Sequence, residues 1–520
     1  MTQTESKSAT QVDISGRRLA HNTLLNLVGR ILPLLVAIFT VPYVIHHLGP
    51  DRYGLLSLAY IVVGYFALFN LGIGPATTKF VAELLGKGEI EKLPELVWTA
   101  LASQACFGLA GGILLAFASP LLVDRVLKIP AELHPQAQTI FLIMAALLPF
   151  DFASGSMQGV LGASQRFDLL NAVSIPASTL SYLLPVGALA LGFGLPAIVL
   201  FLALARLASL AVVIVLCLRL YPELRRVRFD LRRVRSLLGF GGWVAVSGFL
   251  IPILTNFEKL AIATLLSVGA LAYYVPCYLM MSKVALLPAS LATALFPAIS
   301  YCEGKSGASD ALRKLSLNPI KYIVLVMAPV TVAFFLFGGS ILRIWLGADF
   351  ARHSTTLFRV LALAYFIHAF AYVPLTAVNG LGRPELKAKL DLVQTPIYMA
   401  LCWVLIMKMG LVGAALARLV VTTIDVVCLF AMSKKLVGFS VRDVASSALV
   451  KSFAVASIPV VSGLLLVLAT IPLSLKLAIF FISLMLYALA TWWVALDDQD
   501  RLILSGGLQR LAFVGRPYKR

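Results

Sequence analysis

Eight charged side chains lie deep inside long apolar stretches of this 520-residue chain, and any chemistry it performs must start from them. Five are basic: Arg30, Arg206, Lys259, Lys283 and Arg418. Three are acidic: Asp151, Glu258 and Asp425. Two of the arginines carry the same local sequence, Leu204-Ala205-Arg206-Leu207 and Leu416-Ala417-Arg418-Leu419. A charge at the centre of a membrane helix costs about 2.5–3.5 kcal/mol. Five bases facing lipid would therefore cost roughly 12–17 kcal/mol, more than the whole margin of a typical fold. They must face a wet cavity, pair with acids, or snorkel. Snorkelling suits Arg418, suits Arg30 less, and is a poor account of Arg206 or Lys283. Three acids against five bases leave an interior excess of about two positive charges, which points to a cavity for an anion. Arg30, Arg206, Lys283, Arg418 and Lys259 are its candidate contacts. A structural ion pair is the alternative for each. Asp151, Glu258 and Asp425 are candidates for H+ or Na+ coupling, with a purely structural role as the equal alternative. Glu258 and Lys259 point about 100° apart on a helix, so each needs a partner elsewhere. Arg418 and Asp425 are two turns apart on one face, too far for a direct pair. His368 reads as a packing residue.

The elements that position these charges are membrane helices. The chain is 60% hydrophobic and only 13% charged, with mean hydropathy +0.93, whereas soluble domains carry about 25% charged residues. Fourteen apolar runs, from Asn22–Ile45 to Leu477–Leu496, are near the ~20 residues that span a bilayer as helix. They lack the period-two alternation of a β-barrel. The fold class is therefore an all-α polytopic membrane protein of about 14 transmembrane helices. The repeated Leu-Ala-Arg-Leu, Gly162–Arg166 against Gly380–Arg383, and Gly49–Gly54 against Gly269–Tyr274 mark an internal duplication. Six spans per half starting on the same side make the repeats parallel, with cargo expected near the midplane. The expected division is 1–218 as a first six-helix bundle, 219–238 as a linker, 239–435 as a second bundle, and 436–520 as two extra helices with a basic tail. The linker places Leu224, Val227, Leu231, Val234 and Leu238 at helical steps among six arginines, and predicts an amphipathic helix on the inner leaflet. Anionic lipid headgroups or positive-inside topology alone would explain its charge.

Placing both termini in the cytoplasm puts roughly 30 of the 43 Lys and Arg on the inner side. The net charge of +19 is thus inner-face charge and does not indicate nucleic acid. The polar stretch up to His21 lacks a cleavable signal pattern, so the first span is expected to remain. Cys106, Cys217, Cys277, Cys402 and Cys428 fall in spans and Cys302 in a cytoplasmic loop, which argues against disulfides. No Cys/His spacing suggests zinc, and no nucleotide-binding glycine-rich loop or resident cofactor is indicated.

Several motifs resemble one family. Leu48-Gly49-Pro50-Asp51-Arg52-Tyr53-Gly54 follows the first span. Asn70-Leu71-Gly72-Ile73-Gly74 is similar to a motif in which an aspartate is common where Asn70 stands. Tyr273-Tyr274-Val275-Pro276, Leu295–Ser300, Trp345-Leu346-Gly347 and Asn379-Gly380-Leu381-Gly382-Arg383-Pro384 are more specific matches. Together they make the chain, from about Arg18 to Lys435, similar to the Wzx-like flippases of the multidrug/oligosaccharidyl-lipid/polysaccharide superfamily. The resemblance implies twelve core helices in two bundles forming a V-shaped cavity, two added helices, and transfer of polyprenyl-pyrophosphate-linked oligosaccharide across the bacterial inner membrane. Glu258-Lys259 departs from the family's Asp followed by Lys or Arg, which weakens a coupling role for Glu258.

The expectation is a non-enzymatic flippase serving O-antigen, capsule or exopolysaccharide synthesis, working among membrane lipids and compatible with a monomer. A lipid II flippase and a membrane-embedded polysaccharide polymerase or ligase are the alternatives. Short outer loops argue against the enzyme. A polymerase is also a conceivable partner, although no motif specifies one.

Overall fold

The computed structural model describes residues 16–66, 72–230, 232–234, 237, 253–303, 309–438, 447–469, 471–498 and 500–501. Among these every regular element is helical. The helices are α1 Gly16–Phe66, α2 Ile73–Gly86, α3 Leu93–Leu121, α4 His134–Ala163, α5 Phe167–Ala190, α6 Leu195–Leu220, α7 253–265, α8 Val268–Val284, α9 Leu286–Glu303, α10 Ser309–Leu346, α11 Ala348–Gly380, α12 Pro384–Val437, α13 Ser447–Leu468 and α14 Leu473–Ala490.

Eleven described stretches are long and apolar enough to cross a membrane. Two of them hold two spans each. In α1 the backbone leaves the helical region at Gly49 (φ 76°) and the helix restarts at Pro50, whose fixed φ suits a first helical position. In α12 the break is Gly410 (φ 60°). A Cβ on Gly413 would overlap the Leu405 carbonyl. Residues eight apart on one straight helix lie about 12 Å apart, so the chain folds back at Gly410. The seventh expected span is described only from residue 253. The described residues are those of an all-α polytopic membrane protein. The expected eighth span is α8 followed by α9. Its break at Ala285 precedes Pro288, which cannot donate to the Val284 carbonyl.

By packing, the chain divides into Met1–Pro276 and Cys277–Arg520. Within the first unit, contacts sort the loops onto two sides. At one side the Lys128 N–H donates to Ala263 O (3.0 Å), the Val268 N–H donates to Lys128 O (3.3 Å), and Gly54 lies against the Val268 carbonyl. At the other, Trp98 Nε1 donates to Leu224 O (2.8 Å) and Ser164 Oγ shares a hydrogen bond with the Tyr221 hydroxyl (2.8 Å). The connections after spans 1, 3 and 7 thus share one side, and those after spans 4 and 6 share the other, as strict up-and-down alternation requires. The side-to-side contacts also explain why α7 and the start of α8 pack with the first unit.

The linker corrects an expectation. No amphipathic helix runs through 221–230. Pro222–Arg225 form a single 3-10 turn, Arg226 is extended (φ −87°, ψ 104°), and 227–230 are irregular. Leu224 is buried, whereas Val227 is 56% exposed, so the two do not share a buried face. Bonds to α3 replace the helix. Leu224 O accepts from Trp98, and the Asp230 N–H donates to Thr99 Oγ1 (2.9 Å). Asp230 then caps a turn at 232–234, where its Oδ1 accepts from the Arg232 N–H (3.0 Å). Leu231 and Leu238 lie outside the described residues.

In the second unit, α13 and α14 are fastened to α10. Phe337 and Phe480 meet edge to face (5.3 Å), and the Tyr487 hydroxyl donates to Leu325 O (2.5 Å). At the end of α10 nearest Lys321, its buried ammonium donates to Asp500 (2.6 Å) and Asp497 (3.0 Å), while Tyr322 donates to Asp500 (2.5 Å). Burial alone would raise the Asp500 carboxyl. The bonds from Lys321, Tyr322 and the Asp497 N–H outweigh burial and hold it below the ordinary carboxylate range. A depressed folded value means the stabilisation is complete above the unfolded value of about 3.9 and is lost as pH falls through the folded value. The segment 496–501 is therefore expected to resist proteolysis from pH 5 to 8 and to become cleavable below about pH 4. An Asp500→Asn variant should be cleaved across the whole range.

Candidate functional site

Arg206 lies eleven residues from the start of α6 and fourteen from its end, about 16 and 21 Å of helix. That mid-depth position removes snorkelling as an account of its charge. Its Nη1 donates to Asp151 Oδ2 on α4 at 2.6 Å, and its guanidinium stands 5.5 Å from the centroid of the Tyr60 ring. The pair faces an open cavity of about 410 Å³ lined by α4, α5 and α6. The Arg206 side chain is 41% exposed there and Asp151 24%. One guanidinium edge is thus engaged while the group stays reachable from the cavity. The polar lining is completed by Ser154, Gln158, Ser174, Ser178 and Ser209. Gln158 Nε2 donates to Ser154 Oγ (2.8 Å). Ser178 and Ser209 donate to carbonyls of their own helices, at Ser174 and Ala205 (2.6 and 2.9 Å). Their hydroxyl protons are engaged, so their lone pairs remain as acceptors. The cavity therefore offers one cationic donor paired with a carboxylate, amid hydroxyl and amide groups and the apolar side chains of Leu148, Phe152, Leu170, Val173 and Val213. Such a wall can hold an anion and accept from neighbouring hydroxyls.

The second unit repeats part of this design. Arg418 lies 5.7 Å from the Tyr278 centroid and 5.3 Å from that of Tyr398. Tyr60 and Tyr278 occupy the second span of their respective halves, and Arg206 and Arg418 the sixth. The duplication thus includes an arginine–tyrosine contact between the second and sixth helices. Asp425, seven residues on from Arg418 in α12, has a basic partner in Lys387. It accepts from Lys387 Nζ (2.7 Å), which also donates to Asp391 (2.7 Å). All three are largely buried. Removing Lys387 would leave two carboxylates facing each other in a span. Lys387→Met is expected to cost about 3 kcal/mol, seen as a lowered melting temperature in detergent, with recovery in Lys387→Met/Asp425→Asn.

The other candidates fall differently. Glu258 is fully buried and accepts from the Tyr274 hydroxyl at 3.4 Å. Lys259, 7% exposed, donates to Thr255 O (3.0 Å) and Asn256 Oδ1 (2.9 Å) of its own helix. Lys259 is not among the residues lining the α4–α6 cavity. Lys283 is exposed on α8. The side chain of Arg30 lies outside the described residues. His368 packs edge to face against Tyr365 (6.2 Å) and Tyr372 (5.4 Å), as a packing residue should.

Tyr60, Lys387 and Asp391 are absent from the sequence-based set. Lys387 falls three residues before Leu390, where the apolar run of its span begins. The Lys387-x-x-x-Asp391 spacing, which suits an i,i+4 pair, was the available signal. Tyr60 had a signal too, in its rough correspondence to Tyr278 across the repeat.

The comparisons decide the family. The model of the polysaccharide biosynthesis protein family matches residues 47–355. The chain belongs to that family. A Shigella flexneri protein named for O-antigen transport is 25% identical over 419 residues, covering 78% of this chain and 96% of its own. The membrane protein EpsK of Bacillus subtilis is 23% identical over 378 residues, 69% of this chain and 72% of its own. Two solved structures share the fold with a TM-score of 0.68. One is an inward-facing multidrug resistance MATE transporter of the MOP superfamily (15% identity, 79% of this chain, 98% of that one). The other is the lipid II flippase MurJ (14% identity, 91% and 98%).

Proposed function

We propose that the protein moves a polyprenyl-pyrophosphate-linked oligosaccharide from the cytoplasmic to the outer leaflet of the bacterial inner membrane by alternating access, with both termini cytoplasmic. The observation that carries this reading is the mid-depth guanidinium of Arg206, held by Asp151 yet open to a serine-lined cavity. A pyrophosphate suits the cation. The sugar hydroxyls next to it suit the Ser and Gln acceptors. The lipid tail would remain in the bilayer, and no covalent bond changes. Family membership and the O-antigen transporter relative support the same class of cargo. The driving force in this reading is an ion gradient, with Asp151 and Asp425 as the carboxylates through which H+ or Na+ would act. Asp151 would couple directly, because a change in its charge alters what Arg206 can hold.

The test is the sidedness of lipid-linked glycan in cells lacking the gene. Glycan should accumulate on the cytoplasmic leaflet, be released by the wild-type gene, and stay trapped with Arg206→Ala. Normal outward sidedness in the deletion strain, with glycan left unpolymerised, would contradict the transport reading.

A further inference from the structure

The strap between α6 and α3, residues 224–230, is bolted down at both ends and bare in the middle. Leu224 is buried under α3, and its carbonyl accepts from Trp98. Six residues on, the Asp230 N–H donates to Thr99 Oγ1 and its carboxylate caps the next turn. Between these anchors Arg225, Arg226, Val227, Arg228 and Phe229 are all exposed, Val227 by 56% and Phe229 by 59%. A segment fixed at both ends has no freedom to hide its apolar side chains elsewhere, so their surroundings must suit them.

Charge and depth say what those surroundings are. Arg225, Arg226 and Arg228 form no ion pair among the described residues. The acids nearby are occupied or directed elsewhere: Asp230 caps a backbone N–H, Glu95 faces Arg233 (3.7 Å), and Asp168 pairs with Arg166 (2.8 Å). Glu223 is half-buried, and its carbonyl accepts from the Arg226 N–H. The strap leans on Trp98 and Thr99, within the first two turns of α3, and follows directly on the end of α6. That is the level where membrane spans meet the headgroups. Arg226, Val227, Arg228 and Phe229 thus expose basic and apolar side chains in turn along one short stretch. Basic groups at phosphate level with apolar neighbours dipping into acyl chains is the arrangement that binds an anionic membrane surface.

We propose that residues 225–229 form a docking strap for acidic phospholipids of the leaflet at which α3 begins, with the three arginines on headgroup phosphates and Val227 and Phe229 in the acyl boundary. It fixes the loop joining the two repeats to the membrane surface.

The full-length protein is reconstituted in nanodiscs containing equal phosphatidylglycerol and phosphatidylcholine, and the retained lipid is weighed after stringent detergent washing. Phosphatidylglycerol should be enriched in wild type. At ~5-fold per basic residue near an anionic surface, Arg225→Gln/Arg226→Gln/Arg228→Gln should lose on the order of 100-fold in preference. The corresponding triple Lys variant should keep it. Separately, a photoreactive benzoyl-phenylalanine at position 229, in an otherwise wild-type chain, should crosslink to phospholipid. That arm stands even if the Gln variant folds poorly. Equal retention of both lipids by wild type, or crosslinks to protein alone, would overturn the proposal. Displacement of phosphatidylglycerol by inorganic pyrophosphate would overturn it too, because the strap would then be a soluble-phosphate site.

Discussion

Gly54→Ala is expected to lower the melting temperature of the purified protein sharply and to abolish export of surface glycan. A methyl group at Gly54 would fall inside the radius of the Val268 carbonyl oxygen. Both partners are backbone. Gly54 sits on the second half of α1, and Val268 opens α8 while its own N–H donates to Lys128 O. Neither can rotate away, so relief needs a helix shift. Overpacking of this kind costs about 1–3 kcal/mol, and the rigid partners place it at the upper end. Gly269 provides the internal comparison. A Cβ there would meet the Asp51 carboxylate, a side chain able to turn aside. Gly269→Ala should therefore cost clearly less than Gly54→Ala. Thermal unfolding of both variants in detergent checks the order, and equal melting temperatures would contradict the account. The two glycines belong to the segments that the internal repeat aligns, and the fold brings those segments into contact.

Arg206→Ala should reduce export by at least about 10-fold, the low end for loss of one charged hydrogen bond to cargo. Its stability cost should be smaller than for a sealed ion pair. Asp151 and Arg206 are 24% and 41% exposed, so water screens the carboxylate left behind, and about 1–2 kcal/mol is expected in place of the 3–5 of a fully buried pair. The two effects separate in a cycle. Asp151→Ala/Arg206→Ala removes both charges and should regain most of the stability while regaining no export. If the double variant restored export as well, Arg206 would be a structural partner of Asp151 and nothing more. Melting curves and surface-glycan quantification on the four proteins decide between these readings.

Much of this organisation was legible in the chain itself. Runs of some 20 apolar residues dictate helices whatever their neighbours, because lipid leaves the backbone no other partner. The paired Leu-Ala-Arg-Leu segments located both arginines that stand over a second-helix tyrosine. The partners were harder to read. Asp151 lies 55 positions before Arg206, and no helical periodicity connects α4 with α6. Lys387 and Lys321 could not be read as span residues because hydropathy marks the edge of an apolar run, whereas α12 and α10 extend past it. The linker failed for a local reason. Its helical spacing was real, but Pro222 and hydrogen bonds with Trp98 and Thr99 favour a non-helical path, and such bonds to a distant helix leave no trace in a local pattern.

The central claim is that this chain alone carries a lipid-linked glycan across a bilayer through an arginine-bearing cavity. The direct measurement is transfer in proteoliposomes loaded with a fluorescent polyprenyl-pyrophosphate glycan, scored by a membrane-impermeant reagent that modifies only glycan in the outer leaflet. With wild-type protein the modified fraction should rise with time beyond the half reached in empty liposomes, and with Arg206→Ala it should stay at that level. A wild-type trace that never departs from empty liposomes under an imposed H+ or Na+ gradient would contradict the account.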